Sequence, residues 1–221
     1  FSFLAFNIRR LIKYLLVGHK ENRFDSISTR IKNVLVIAFG QSKLLRDKIA
    51  GPIHFFIFWG FMVLLLAVLE AIIQGFYTPF SWEFLGPVYS VITLVQDVFC
   101  VLVILAVIYA FYRRYIKKVK RLQVDKHGAV DASIILTLIL LVCLSMLGQN
   151  SAAIAGNGFS YSEYEIHPVS LALSKIFYSS FSSAGAIYEL FWWMHILVIF
   201  GFMNFLPYSK FIRRSHFLLT L

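Results

Sequence analysis

Residues 51–75 read GPIHFFIFWGFMVLLLAVLEAIIQG, twenty-five positions that hold one histidine, one acid and no lysine or arginine. Crossing the hydrocarbon core of a bilayer takes about 20 predominantly apolar residues in a helix, so this stretch is long enough to span. Inside a bilayer every backbone N–H and C=O must be satisfied within the segment, which selects a helix over an isolated strand. Three further stretches meet the same test, at roughly 88–112, 130–148 and 188–207. The apolar stub FSFLAF before Arg9 reads as the end of another, for about five transmembrane helices in an all-α integral membrane bundle.

Composition agrees. The chain has 221 residues, 59% hydrophobic and 14% charged, with mean hydropathy +0.76, where a soluble domain carries about a quarter charged residues. The net charge of +10 would suit nucleic acid if it were spread over one face. Instead, of 21 lysines and arginines all but Lys175 fall into three clusters: Arg9 to Lys48, Arg113 to Lys126, and Lys210, Arg213 and Arg214. Each cluster flanks an apolar span, which is the positive-inside pattern, so the basic loops are expected on the cytoplasmic side of a bacterial-type membrane and nucleic acid is not an expected partner. The connections at 76–87 and 149–187 then face outward. In the first basic loop, Ile27, Ile31, Val34, Leu35 and Ala38 recur at helical spacing, the pattern of an amphipathic helix lying on the lipid interface. The outer loop becomes helix-compatible after Pro168, where a short amphipathic helix is expected over the outer face. The start at Phe1 and the end at HFLLTL are read as cuts from a longer chain, leaving residues 1–221 as a single membrane domain.

Cys100 and Cys143 lie within spans without CxxC spacing, so they read as small buried apolar residues and give no iron-sulfur or zinc motif. The chemistry sits elsewhere. His54 and His195 are imidazoles inside apolar spans, where a polar group must find a partner. Two neutral imidazoles on separate helices, surrounded by aromatics, suit axial ligation of haem iron. A buried, hydrogen-bonded structural histidine is the alternative at both positions. At about 1.5 Å rise per residue, His54 lies one turn in from the cytoplasmic side and His195 about two turns in from the outer side. They are thus too far apart in depth to hold one iron. If the last helix continues past LPYSK, it brings His216 near the depth of His54, making those two a candidate pair; an interfacial histidine beside Arg213 and Arg214 is the other reading. His19, His127 and His167 fall in loops and read as solvated. Three acids also fall within or beside spans: Glu70 and Glu189 near the outer side, where quinol protons would be released, and Asp97 deeper, as a structural hydrogen-bonding group or a proton acceptor.

Together, GQSKLLRDKIAGPIHFFIFWGF (40–61), RRYIKKVKRL (113–122) and WWMHILVIFGFMNFLPYSK (192–210) resemble the membrane cytochrome b domain of respiratory nitrate reductase gamma subunits. They resemble more closely its relatives in heterodisulfide reductase-like iron-sulfur oxidoreductases. The resemblance covers nearly the whole chain. It implies a five-helix bundle carrying haem b between the second and fifth helices, quinone as substrate, and iron-sulfur clusters in a cytoplasmic partner or a fused C-terminal domain. In the gamma subunit each of those helices supplies two histidines. Here His54 and His195 match, whereas the second positions are Leu64 and Arg213. His216, three residues beyond Arg213, is the candidate replacement, and nothing on the second helix replaces Leu64. One haem near the cytoplasmic side, or two, is therefore expected, in the quinol-oxidising part of an oxidoreductase complex. Two other functions use the same residues: a proton or ion transporter with a path through Glu70, Asp97 and His195, and a cofactor-free membrane anchor. The broken helices and internal repeats that would favour a transporter are not seen.

Overall fold

A computed structural model describes residues 2–16, 26–123, 126–156, 166–177 and 184–205. Among these the chain is helical and contains no strand. Helix α1 covers Ser2–Leu16, α2 Ile27–Asn33, α3 Ala50–Phe76, α4 Pro87–Phe111, α5 Lys126–Ala155, α6 Pro168–Phe177 and α7 Ala184–Phe205. Wider turns continue α2 through Val34–Phe39 and α4 through Tyr112–Ile116. Four helices are long and apolar enough to cross a membrane: Ala50–Phe76, Pro87–Ile116, Gly128–Ala155 and Ala184–Phe205. The protein is an all-α integral membrane bundle. The first helix runs through Arg9, Arg10 and Lys13 instead of ending before them, and it touches α7.

The spanning helices pack in the order α3, α4, α5, α7, with α6 laid across α4 and α5. Helix α4 is the hub: its Cys100, Val103 and Val107 form the core with Cys143 and Leu147 of α5, and Ile57 and Leu64 of α3 pack against them. Lipid tails are as apolar as these side chains, so cohesion comes from close packing and interhelical hydrogen bonds. One such bond joins the helices directly, from Gln96 Nε2 to the Val63 carbonyl at 3.3 Å. Helix α4 starts sharply because Gly86 takes φ 55, and Pro87 then supplies the fixed φ of a first helical residue.

Both amphipathic helices expected outside the spans are present. Helix α2 and its continuation leave Ile27, Ile31, Val34, Leu35 and Val36 exposed on the protein, the apolar surface an interfacial helix offers to lipid. Helix α6 begins at Pro168 and is pinned to α4, as described next.

Candidate functional site

His54 lies in the second turn of α3, and the segment before that helix is built to reach it. Asp47 caps the start, its Oδ1 accepting from the N–H groups of Ile49 at 3.0 Å and Ala50 at 2.9 Å. Gly51 permits the Leu44–Arg46 turn to press on the helix, because a Cβ there would lie 2.7 Å from the Leu44 carbonyl oxygen and 2.8 Å from Leu45 Cα. Gln41 heads that turn, its carbonyl accepting from Leu44 N and Leu45 N. It is 1% exposed and adopts φ 48, a left-handed conformation that costs a non-glycine residue about 1–3 kcal/mol. Its Oε1 stands 3.1 Å from His54 Nδ1. A carboxamide oxygen only accepts, so His54 donates from Nδ1 and its Nε2 keeps a lone pair. The other end of the amide, Gln41 Nε2, is buried without an acceptor among the described residues, which costs about 1–3 kcal/mol more. Phe58 stacks beside the imidazole with centroids 6.4 Å apart, and Phe39 packs on Phe58 and Trp59.

His195 is held by a second device. Gly148 of α5 accommodates the ring of Phe191, since a Cβ on it would stand 2.7 Å from three ring carbons. One turn along, Ser145 is wholly buried, and its Oγ donates to the Val142 carbonyl at 2.9 Å. With that proton committed, Oγ accepts from His195 Nδ1 at 2.8 Å. His195 too is left with a lone pair on Nε2. Neither Gln41 nor Ser145 stood out in the sequence. Gln41 lies thirteen positions from its histidine and Ser145 fifty, and a glutamine in a basic loop or a serine in an apolar helix has many ordinary roles.

The contacts also fix heights. Ser145 sits beside His195, its neighbour Met146 accepts from Cys100 Sγ at 3.7 Å, and α4 around Cys100 faces α3 at Gly60 and Val63. His195 is therefore level with residues 60–63, about 9–14 Å along the α3 axis from His54 at 1.5 Å per residue. That offset exceeds what the two axial nitrogens of one iron can bridge. Leu64, near the height of His195, packs into the α4 core. Arg213 and His216 lie outside the described residues, as does His19.

Asp97 and Glu70 each have partners of their own. Asp97 is fully buried and serves α6: its Oδ2 accepts from Val169 N at 2.6 Å and Ser170 N at 3.2 Å, and its Oδ1 from Ser170 Oγ at 2.6 Å. These are donors that a helix start leaves open, and the preceding residue, His167, has no short side-chain oxygen to satisfy them. Thr93 Oγ1 adds a bond from Ile166 N at 3.0 Å. Burial holds His167 below its ordinary pKa, and the charge of Asp97 partly offsets this. Glu70 accepts from Ser81 Oγ at 3.0 Å and Trp82 N at 2.9 Å, which ties down the α3–α4 connection. Glu189 is exposed on α7. Among the described residues no three of His, Cys, Asp and Glu converge as a cage for a free metal ion. Haem iron asks the protein for only one or two axial nitrogens, because the macrocycle supplies the rest.

The fold and these residues define a membrane helix bundle with two histidines, each hydrogen-bonded at Nδ1. No family model and no solved structure matches the chain. It is similar to the probable iron-sulfur-binding oxidoreductase FadF of Bacillus subtilis, 32% identical over 204 residues, which are 92% of this chain and 28% of that protein. It is also similar to the EtfAB:quinone oxidoreductase of Syntrophomonas wolfei, 29% identical over 208 residues, 91% of this chain and 29% of the relative. The chain thus spans less than a third of the length of the curated relatives it matches, and the relationship is to oxidoreductases.

Proposed function

We propose that the protein is a membrane electron-transfer module, moving electrons between quinol or quinone in the bilayer and an iron-sulfur oxidoreductase partner or domain on the cytoplasmic side. The observation that carries this reading is the pair of Nδ1 hydrogen bonds, His54 to Gln41 and His195 to Ser145. A ligating histidine donates its other ring N–H to an oxygen, which fixes the tautomer and raises the basicity of the ligand nitrogen. Both histidines have that arrangement on separate apolar helices.

The residues fit haem b, one or two per chain. His54, with its stacked Phe58 and nearby Phe39 and Trp59, would hold one near the cytoplasmic side, with His216 as the partner to be tested. His195 would hold another at its own height, where Leu64 gives it no partner from α3. Bound there, haem b supplies reversible one-electron redox chemistry at a potential set by ligands and burial. The chain's own contribution is to orient the imidazoles, exclude water from the core around Cys100 and Val107, and present basic loops as a docking face for the partner. The names of the relatives, one iron-sulfur-binding and one a quinone oxidoreductase, support both ends of the route. Glu70 and Glu189, towards the outer side, are the groups nearest to where quinol protons would leave.

The test is a dithionite-reduced difference spectrum of the purified protein, which is expected to show a haem b alpha band. Its absence from folded protein expressed with ample haem would reject the reading in favour of a cofactor-free anchor. Haem per chain in His54→Ala, His195→Ala and His216→Ala, measured singly, assigns the ligands. Unchanged content in all three would reject them.

A further inference from the structure

We infer that Gln41 is a positioning residue: through Oε1 it holds His54 in the Nδ1–H tautomer, so that Nε2 faces its ligand as a base, and it thereby tunes the metal bound there. The meaning of this for electron transfer rests on the haem reading above, but the tautomer itself can be tested without haem.

Three observations on one residue carry the inference. Gln41 is 1% exposed although it stands in a turn, where glutamine is ordinarily solvated. Its backbone is left-handed, the conformation that glycine or asparagine takes with less strain. Its Nε2 is buried without an acceptor among the described residues. None of the three is explained by the stability of the turn, because the carbonyl of any residue could accept from Leu44 and Leu45 as Gln41 does. What another residue could not supply is a carboxamide oxygen 3.1 Å from His54 Nδ1. Asp47 and Gly51, which set the first turn of α3, bring the Gln41 turn to that distance.

Turning the amide end for end would place Nε2 against Nδ1, which would then have to accept. His54 would carry its proton on Nε2 and could not bind iron there without losing it. The two orientations of one amide thus correspond to a ligand and a non-ligand form of His54. Strain and an orphaned donor at such a place are what a functional constraint leaves behind.

The experiment uses histidine-15N-labelled protein in lipid nanodiscs, prepared without haem, at pH 8. His54 is assigned by its loss in His54→Gln. Wild type is expected to give the Nδ1–H pattern, Gln41→Leu to move toward Nε2–H, and Gln41→Glu, which keeps an acceptor, to retain Nδ1–H. Titration with haemin is then expected to show about 10–100-fold weaker binding in Gln41→Leu. Gln41→Glu should bind haemin with a lowered midpoint potential, since a carboxylate makes the imidazole a stronger electron donor. Wild-type His54 in the Nε2–H form, or an unchanged tautomer in Gln41→Leu, would overturn the inference. If Gln41→Leu does not fold, Gln41→Glu decides, and loss of Nδ1–H or an unchanged potential counts against it. A protein that takes up no haemin refutes the proposed function, while the tautomer result still judges Gln41.

Discussion

Ser145 and His195, fifty positions apart in the chain, meet through a 2.8 Å hydrogen bond inside the contact between α5 and α7. With the Ser145 proton on the Val142 carbonyl, the imidazole donates to the hydroxyl. Ser145→Ala removes the acceptor and leaves a buried N–H, at an expected cost of about 1–3 kcal/mol. Denaturant unfolding in mixed micelles measures it. Ser145→Thr, which keeps the hydroxyl, should recover part of the loss, and a stability equal to wild type in Ser145→Ala would refute the bond.

The helix contact one turn away depends on the absence of a side chain. Gly148→Ala places a Cβ about 2.7 Å from the Phe191 ring. We expect overpacking to cost about 1–3 kcal/mol and to displace His195, which follows Phe191 by one helical turn. Adding Phe191→Leu should relieve most of that cost, giving a coupling energy well above additivity in the double-mutant cycle. Additive effects would mean that the two residues do not touch.

Asp97 can be assigned by a substitution that removes charge but little volume. In Asp97→Asn one oxygen is replaced by a donor facing the N–H groups of Val169 and Ser170, so the anchor of α6 should weaken by about 1–2 kcal/mol. Hydrogen exchange of the α6 amides should accelerate accordingly. If those amides are unaffected while quinol oxidation fails, Asp97 acts as a proton acceptor instead.

The docking of α6 should also depend on pH. His167 is held below its ordinary value of 6.5, so near pH 6 the unfolded or undocked segment binds more protons than the docked one. By linkage, the stability it contributes is fully present above about pH 6.5 and is lost as pH falls from there through the lowered folded value. Protection of the α6 amides, corrected for the intrinsic pH dependence of exchange, should fall between pH 7.5 and 5, and His167→Gln should flatten the profile. An identical pH response in that variant would assign the effect to another group.

Residues 51–75 by themselves determined that α3 is a helix in a membrane, because length and apolarity act locally and leave the backbone no other partner. The same holds for the other spans and for α6, announced by Pro168. His54 and His195 were legible as anomalies for the same reason: a polar ring in an apolar run needs no tertiary information to be noticed. What met those rings was not legible. A hydrogen bond of about 3 Å is set by how two elements are packed, and a partner thirteen or fifty positions away carries no mark of it in the sequence. Asp97 shows the limit from the other side, since a buried acid reads equally as a proton acceptor or a cap until the start of α6 is placed against it. Tertiary structure alone decided that Gln41 and Ser145 face the histidines and that Glu70 serves the α3–α4 connection. These are properties of packing between helices, which depends on where Gly51 and Gly148 let backbones and rings approach.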